Sequence, residues 1–199
     1  MMAEPISVAL FVEDRAHEYF LMPLVERVAR EAGRTLTVRP YSVRGGHPRA
    51  RDELTTFQRL LEKGVLGLSD PDVLVVGIDA NCATWHQARR RIIDALAVRL
   101  RDRTVVACPD PHIERWFMAD PESFEATFGR RPKLGQRKCE RDRYKRILAQ
   151  TIREAGYPTV LGGIEFAEEI VTAMDLYRAG KREKSLKHFV DAARTLLAG

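Results

Sequence analysis

The stretch ISVALFVEDRAHEYFLMPLV, residues 6–25, changes its periodicity at one pair of acids. Residues 6–12 are an almost continuous apolar run, the pattern of a parallel strand covered on both faces. Glu13 and Asp14 end that run abruptly. From Ala16 to Glu31, Phe20, Leu21, Leu24, Val25 and Val28 recur at helical spacing, and Gly33 is a natural stop. Acidic side chains pack poorly at the end of a buried strand, so this pair needs a reason to be there.

Working outward, the same alternation continues. TLTVRPYSV (35–43) is rich in β-branched residues, and Pro40 marks it as an edge strand or a bulge. RGGHPR (44–49) reads as a turn, followed by a helix to about residue 63. DVLVVGI (72–78) is a second continuous apolar run, helix signals span 83–100, and TVVAC (104–108) is a fourth strand. The order β-α-β-α-β-α-β predicts an α/β fold with a mainly parallel sheet flanked by helices. After Pro111 the strand signals fade. A helical stretch with a break at Asp120-Pro121 is followed by helices over 141–155, 164–178 and 184–198. The expected organisation is an α/β core over residues 1–120 with a helical C-terminal extension, 121–199, packed on it as one compact domain.

Composition narrows the class. In 199 residues, 45% hydrophobic, no apolar stretch approaches the roughly 20 residues that span a bilayer, so no membrane partner is expected. The N-terminus lacks a basic segment followed by a long apolar core, which argues against a secretory signal. Cys82, Cys108 and Cys139 lie far apart with no metal-finger spacing, and read as reduced residues of a cytoplasmic protein. The net charge is +5, yet residues 130–146 alone carry nine Arg or Lys against two acids, so the remainder is slightly acidic. Concentrated cations favour a phosphate-rich partner, and Arg130, Arg131, Lys133, Arg137, Lys138 and Arg141 are the candidate backbone contacts. A solvated basic loop explains the same residues equally well.

Three of the expected strands run into acidic or polar groups: Glu13-Asp14, Asp79-Ala80-Asn81, and Asp110-Pro111-His112-Ile113-Glu114. The carboxyl ends of parallel strands share one edge of the sheet, where ligands bind. Glu13, Asp79 and Glu114 are therefore candidates to meet, as catalytic carboxylates and metal ligands, with Asn81 assisting. Oxygen donors suit a hard cation, Mg²⁺ or Mn²⁺. Each acid also has a plain structural role. Glu13 or Asp14 can cap the following helix, Asp79 the helix near Ala83, and Asp110 with Pro111 at N1 the next. If the carboxylates are unpaired neighbours, Asp79→Asn should relieve repulsion and stabilise the metal-free protein. His17, His86 and His112 are single histidines without supporting spacing. Trp85 and Trp116 read as packing residues. Lys138 and Lys145 could steady developing negative charge or contact backbone phosphate.

With these motifs in view, the chain resembles the TOPRIM fold of topoisomerases, bacterial primases and OLD-family nucleases. FVEDRAHEYFLMPLV looks like its first motif with Glu13 as the acid, and Glu18 stands near the second Glu of small RloB-like proteins. VVGIDAN looks like the DxD motif, with Asn81 at the second Asp, and PDPHIERWFMADPESF is similar to a stretch of the same small families with Glu114 at the acid position. The resemblance implies a metal-dependent nuclease acting on DNA or RNA phosphodiesters, with water as the nucleophile. It further implies a role in phage defence or on a mobile element, beside a partner ATPase, with a homodimer left open. Asn81 brings no second charge, which keeps a non-catalytic nucleic-acid- or partner-binding module in view. A metal-dependent enzyme of small phosphorylated substrates is the other alternative.

Overall fold

The computed structural model describes residues 4–43, 47–65, 70–135, 139–140 and 142–198. Strand β1 (Ile6–Val12) leads into helix α1 (Arg15–Glu31), then β2 (Leu36–Ser42), α2 (His47–Glu62) and β3 (Val73–Gly77). Helices α3 (Trp85–Ala95) and α4 (Val98–Arg101) precede β4 (Thr104–Ala107). The remainder is helical: α5 (Ile113–Phe117), α6 (Pro121–Phe128), α7 (Arg143–Glu154), a 3-10 turn at Ile164–Phe166, α8 (Ala167–Ala173), α9 (Leu176–Arg182) and α10 (Lys184–Ala198).

The four strands form one parallel sheet in the order β2-β1-β3-β4. Pro40, which has no N–H for a ladder, lies on the edge strand β2, opposite Leu10. Alternate residues of β1 serve two cores. Val8, Leu10 and Val12 face α1 and the C-terminal helices, and Ala9 and Phe11 face α2 and α3. This two-sided burial is why β1 and β3 read as apolar runs without alternation. Gly77 closes the packing, since a Cβ there would stand 2.5 Å from Leu21 Cδ1 and 3.4 Å from His17 Cδ2. Its bare backbone lets the first turns of α1 lie against the end of β3.

The C-terminal helices pack on the face that carries α1, and α10 touches both α1 and β4. Residues just after β4 fasten them. Arg115 Nε donates to Glu183 Oε1 at 2.6 Å, and Trp116 Nε1 donates to Ser185 Oγ at 3.0 Å. The fully buried Asp120 carboxylate accepts from Asp175 N, Arg178 Nε and Arg178 Nη2 at 2.8–3.1 Å.

Several boundaries differ from expectation. The helix expected over 83–100 breaks at Leu96-Ala97, where buried Gln58 of α2 accepts from Ala97 N at 2.7 Å and donates to Ala95 O. A side chain from another helix takes over the backbone groups at the break. The helix expected over 164–178 also divides, because Asp175 caps a new start by accepting from Tyr177 N and Arg178 N. Helix α2 already begins at His47, and the glycines of the expected turn, Gly45 and Gly46, lie outside the described residues.

The cysteine reading needs correction. Cys82, just after β3, and Cys139, in the basic stretch, form a disulfide with Cα atoms 5.4 Å apart across 57 residues of sequence. Spacing rules see only local pairs, whereas this pair is made by the fold. Cys108 alone is free, and burial pushes its thiol well above the ordinary range. Among the described residues, no helix is long and apolar enough to cross a membrane.

Candidate metal centre

Because β1, β3 and β4 are parallel and adjacent, their carboxyl ends lie side by side. Glu13 N donates to Gly77 O at 2.9 Å, Ile78 N to Ala107 O at 3.0 Å and Ala80 N to Pro109 O at 2.8 Å. The three segments expected to carry the site are thus laced together just beyond the sheet. Glu13 Oε2 accepts from Asp79 N at 3.0 Å, so the first strand's acid bridges directly to the second motif.

The capping alternatives resolve differently for each acid. Asp14 is the N-cap of α1, accepting from His17 N at 3.1 Å, which leaves Glu13 out of that role. Helix α3 is capped by Thr84 in a reciprocal box with Gln87, so Asp79 does not cap it. Nor does Asp110 cap the next helix. His112 occupies the N-cap position of α5, with Asp110 and Pro111 in the loop before it.

Glu13, His17 and Asp79, all buried, each place a ligand atom within 4.8 Å of the others. This group could hold a metal ion. His17 was not singled out by sequence, although its place four residues after Glu13, in the first turn of the helix, is the visible trace of this placement. Its Nδ1 contacts Asp14 Oδ1 at 2.8 Å, as when a carboxylate orients a ligating imidazole. Its Nε2 lies 3.1 Å from Asp79 Oδ1, an ion-pair distance, without the alignment of a hydrogen bond. Two buried polar atoms thus face each other with no hydrogen-bond partner, as a shared cation would require. Two carboxylates with one imidazole fit Mn²⁺ better than Mg²⁺, since nitrogen donors suit the transition metals.

The electrostatics reverse one expectation. Asp79 is not a carboxylate crowded only by other carboxylates. Its Oδ2 contacts His112 Nδ1 at 2.9 Å, so it lies between two histidines. Burial works to raise its pKa, but His17 and His112 prevail and hold it below the ordinary value. His17 answers in kind. Full burial opposes its charge, yet Asp79 and Asp14 together keep the imidazolium favoured well above the usual pKa. His112 is raised by its bond to Asp79, against partial burial. Without a metal, an imidazolium supplies the positive charge among these acids, and removing Asp79 would strand it.

Glu114 and Asn81 lie outside the trio. Glu114 is almost completely buried, and burial with the nearby Asp79 charge pushes its carboxyl up to about 7. Lys145 Nζ, on α7, stands 3.9 Å from its Oε1. Asn81 has φ 51°, a left-handed conformation that asparagine tolerates better than most residues, and its Nδ2 is buried without a partner.

Beside the trio opens a cleft of about 690 Å³, whose lining includes Asp14, Arg15, Glu18, Glu114 and Lys145. Glu18 accepts from Ser42 Oγ, tying α1 to β2. Of the basic stretch, Arg137, Lys138 and Arg141 lie outside the described residues. Arg131 is engaged by Glu122 at 2.5 Å and Glu125 at 3.3 Å, and Arg130 Nε donates to Glu154 O at 3.3 Å. Lys133 is exposed. Trp116 is buried packing as expected, whereas half-buried Trp85 stacks on His86 with ring centres 3.6 Å apart. Comparison with protein-family models, with curated proteins and with solved structures finds no match to this chain.

Proposed function

We propose that the protein is a divalent-metal-dependent phosphodiesterase acting on nucleic acid, of the TOPRIM type that its motifs resemble. The observation that carries this reading is the buried Glu13–His17–Asp79 group at the carboxyl edge of a parallel sheet, beside an open cleft whose lining includes Arg15 and Lys145. Glu13, His17 and Asp79 would hold the ion, with Asp14 fixing the imidazole that faces it. Mn²⁺ or Mg²⁺ in that place supplies a Lewis acid for a phosphoryl oxygen and acidifies a water.

The chain's own groups then divide the remaining work. Glu114, titrating near neutral pH at the rim of the centre, is suited to take a proton from water or return one to the leaving oxygen. Lys145 lies close enough to oppose the negative charge that gathers on the phosphoryl group. The basic stretch supplies attraction for the polyanion without reading sequence.

The test is a titration of purified protein with Mn²⁺ and with Mg²⁺, read by thermal shift and by cleavage of single-stranded and duplex DNA and RNA. Either ion should raise the melting temperature of the wild type but not of Glu13→Gln, and cleavage should need the ion. Cleavage that persists in EDTA, or the same ion-induced shift in both proteins, would refute the reading. Ion binding with no cleavage of any substrate would favour the binding module instead.

A further inference from the structure

The cleft beside the acids has a mixed lining. The charged part carries Arg15 at the start of α1 and Lys145 on α7 among the acids Asp14, Glu18 and Glu114. The apolar part comes from Pro40 and Val43 of the β2 segment and from Leu161 and Ile164 before α8. The loop leading to α8 is held firmly. Glu165 accepts from Val160 N at 2.6 Å and Leu161 N at 3.1 Å through Oε1, and from Gly163 N at 2.8 Å through Oε2. Burial opposes the Glu165 charge, but these backbone donors keep its pKa low.

Gly163 carries the loop onto α7. Its φ is 94°, and a Cβ there would stand 2.8 Å from Ile152 Cδ1 and 3.2 Å from Leu148 Cγ. The helix that positions Lys145 therefore also positions Leu161. Fixing an apolar loop so firmly while leaving Val160 at 85% and Leu161 at 40% exposure gains nothing for the core. An apolar surface at the mouth of a charged cleft fits a ligand that is flat and apolar at one end and anionic at the other.

We propose that this cleft holds one unpaired nucleotide of a single-stranded chain, its phosphate toward Arg15 and Lys145 and its base against Leu161 and Ile164. This names the substrate form for the activity proposed above and rests on that reading. The cleft volume falls in the range that takes one small ligand, about 300–1,000 Å³, and a paired base cannot turn its face to a wall. Apolar contact with a base face is tolerant of sequence, because every base has one.

The test compares two fluorescent probes of equal charge in EDTA: an oligothymidylate of about eight units, and a sugar-phosphate chain of the same length without bases. Wild-type protein should bind the oligothymidylate about fivefold to tenfold more tightly by fluorescence anisotropy. Leu161→Glu should erase that preference while still binding the chain without bases, and Leu161→Phe should widen it. Blunt duplex should not share the dependence on residue 161. Equal binding of both probes by wild type, or a preference retained in Leu161→Glu, would overturn the proposal. Since no ion is present, these results stand apart from the metal reading, which the Mn²⁺ thermal shift tests alone.

Discussion

Glu114→Gln should stabilise the metal-free protein, by an amount that grows as pH rises from about 4.5 and is complete above about 7. The carboxyl is 2% exposed and titrates at about 7 in the fold, against 4.5 for the free side chain, because burial and then the Asp79 charge disfavour its ionised form. Between those two values the folded state keeps a proton that the unfolded chain releases. The corresponding stability is therefore fully present below pH 4.5 and is lost as pH rises through 7. At 1.36 kcal/mol per pH unit, that gap amounts to about 3 kcal/mol. The neutral amide never has to ionise. Glu114→Gln should thus exceed wild type by about 3 kcal/mol at pH 8.5 in EDTA, or about 6–12 °C in melting temperature for a chain of this size. Near pH 4.5 the two proteins should unfold together. Urea unfolding followed by the emission of buried Trp116, at both pH values, reads the difference. Equal displacement at both values, or a less stable variant at pH 8.5, would mean that ionised Glu114 is not strained and is no proton carrier.

Three further outcomes follow from the same geometry. Asp79→Asn should destabilise the metal-free protein by about 3–5 kcal/mol, because it leaves the His17 imidazolium buried with half its compensation. It should also remove Mn²⁺ binding in a calorimetric titration, and a stabilised variant would restore the picture of repelling carboxylates. Reducing the Cys82–Cys139 bridge, or replacing Cys82 with Ser, should cost about 4 kcal/mol by the chain entropy of a 57-residue loop, measured by denaturant melts with and without dithiothreitol. Replacing Arg137, Lys138 and Arg141 together with Ala should lower the log–log salt slope of duplex binding by up to about 0.9 per lost contact. An unchanged slope would make that stretch a solvated loop.

What was legible in the sequence followed from burial pattern. Strands covered on both faces must be apolar throughout, so β1 and β3 declared themselves, and parallel order placed their ends on one edge. Glu13 and Asp79 were readable for the same reason, as acids where only apolar residues should stand. His17 was not, because its approach to Asp79 depends on how closely α1 lies against the end of β3, and that closeness needs the absent side chain of Gly77.

The stretch IERWFMAD shows the limit more sharply. As a motif it reads as one functional unit, yet the fold assigns its members to different tasks. Glu114 turns to the cleft, while Arg115, Trp116 and Asp120 reach Glu183, Ser185 and Arg178 in the helices that cover the sheet. A short helix that must both present an acid and anchor a second layer has polar groups on opposite faces, and a linear string does not show which face meets water. The same helix that offers Glu114 is thereby fixed at its back by the Arg115–Glu183 ion pair and the Trp116–Ser185 hydrogen bond. The carboxyl is held in a low-dielectric position by structure that a motif cannot distinguish from the site itself, and that position raises its pKa toward neutrality.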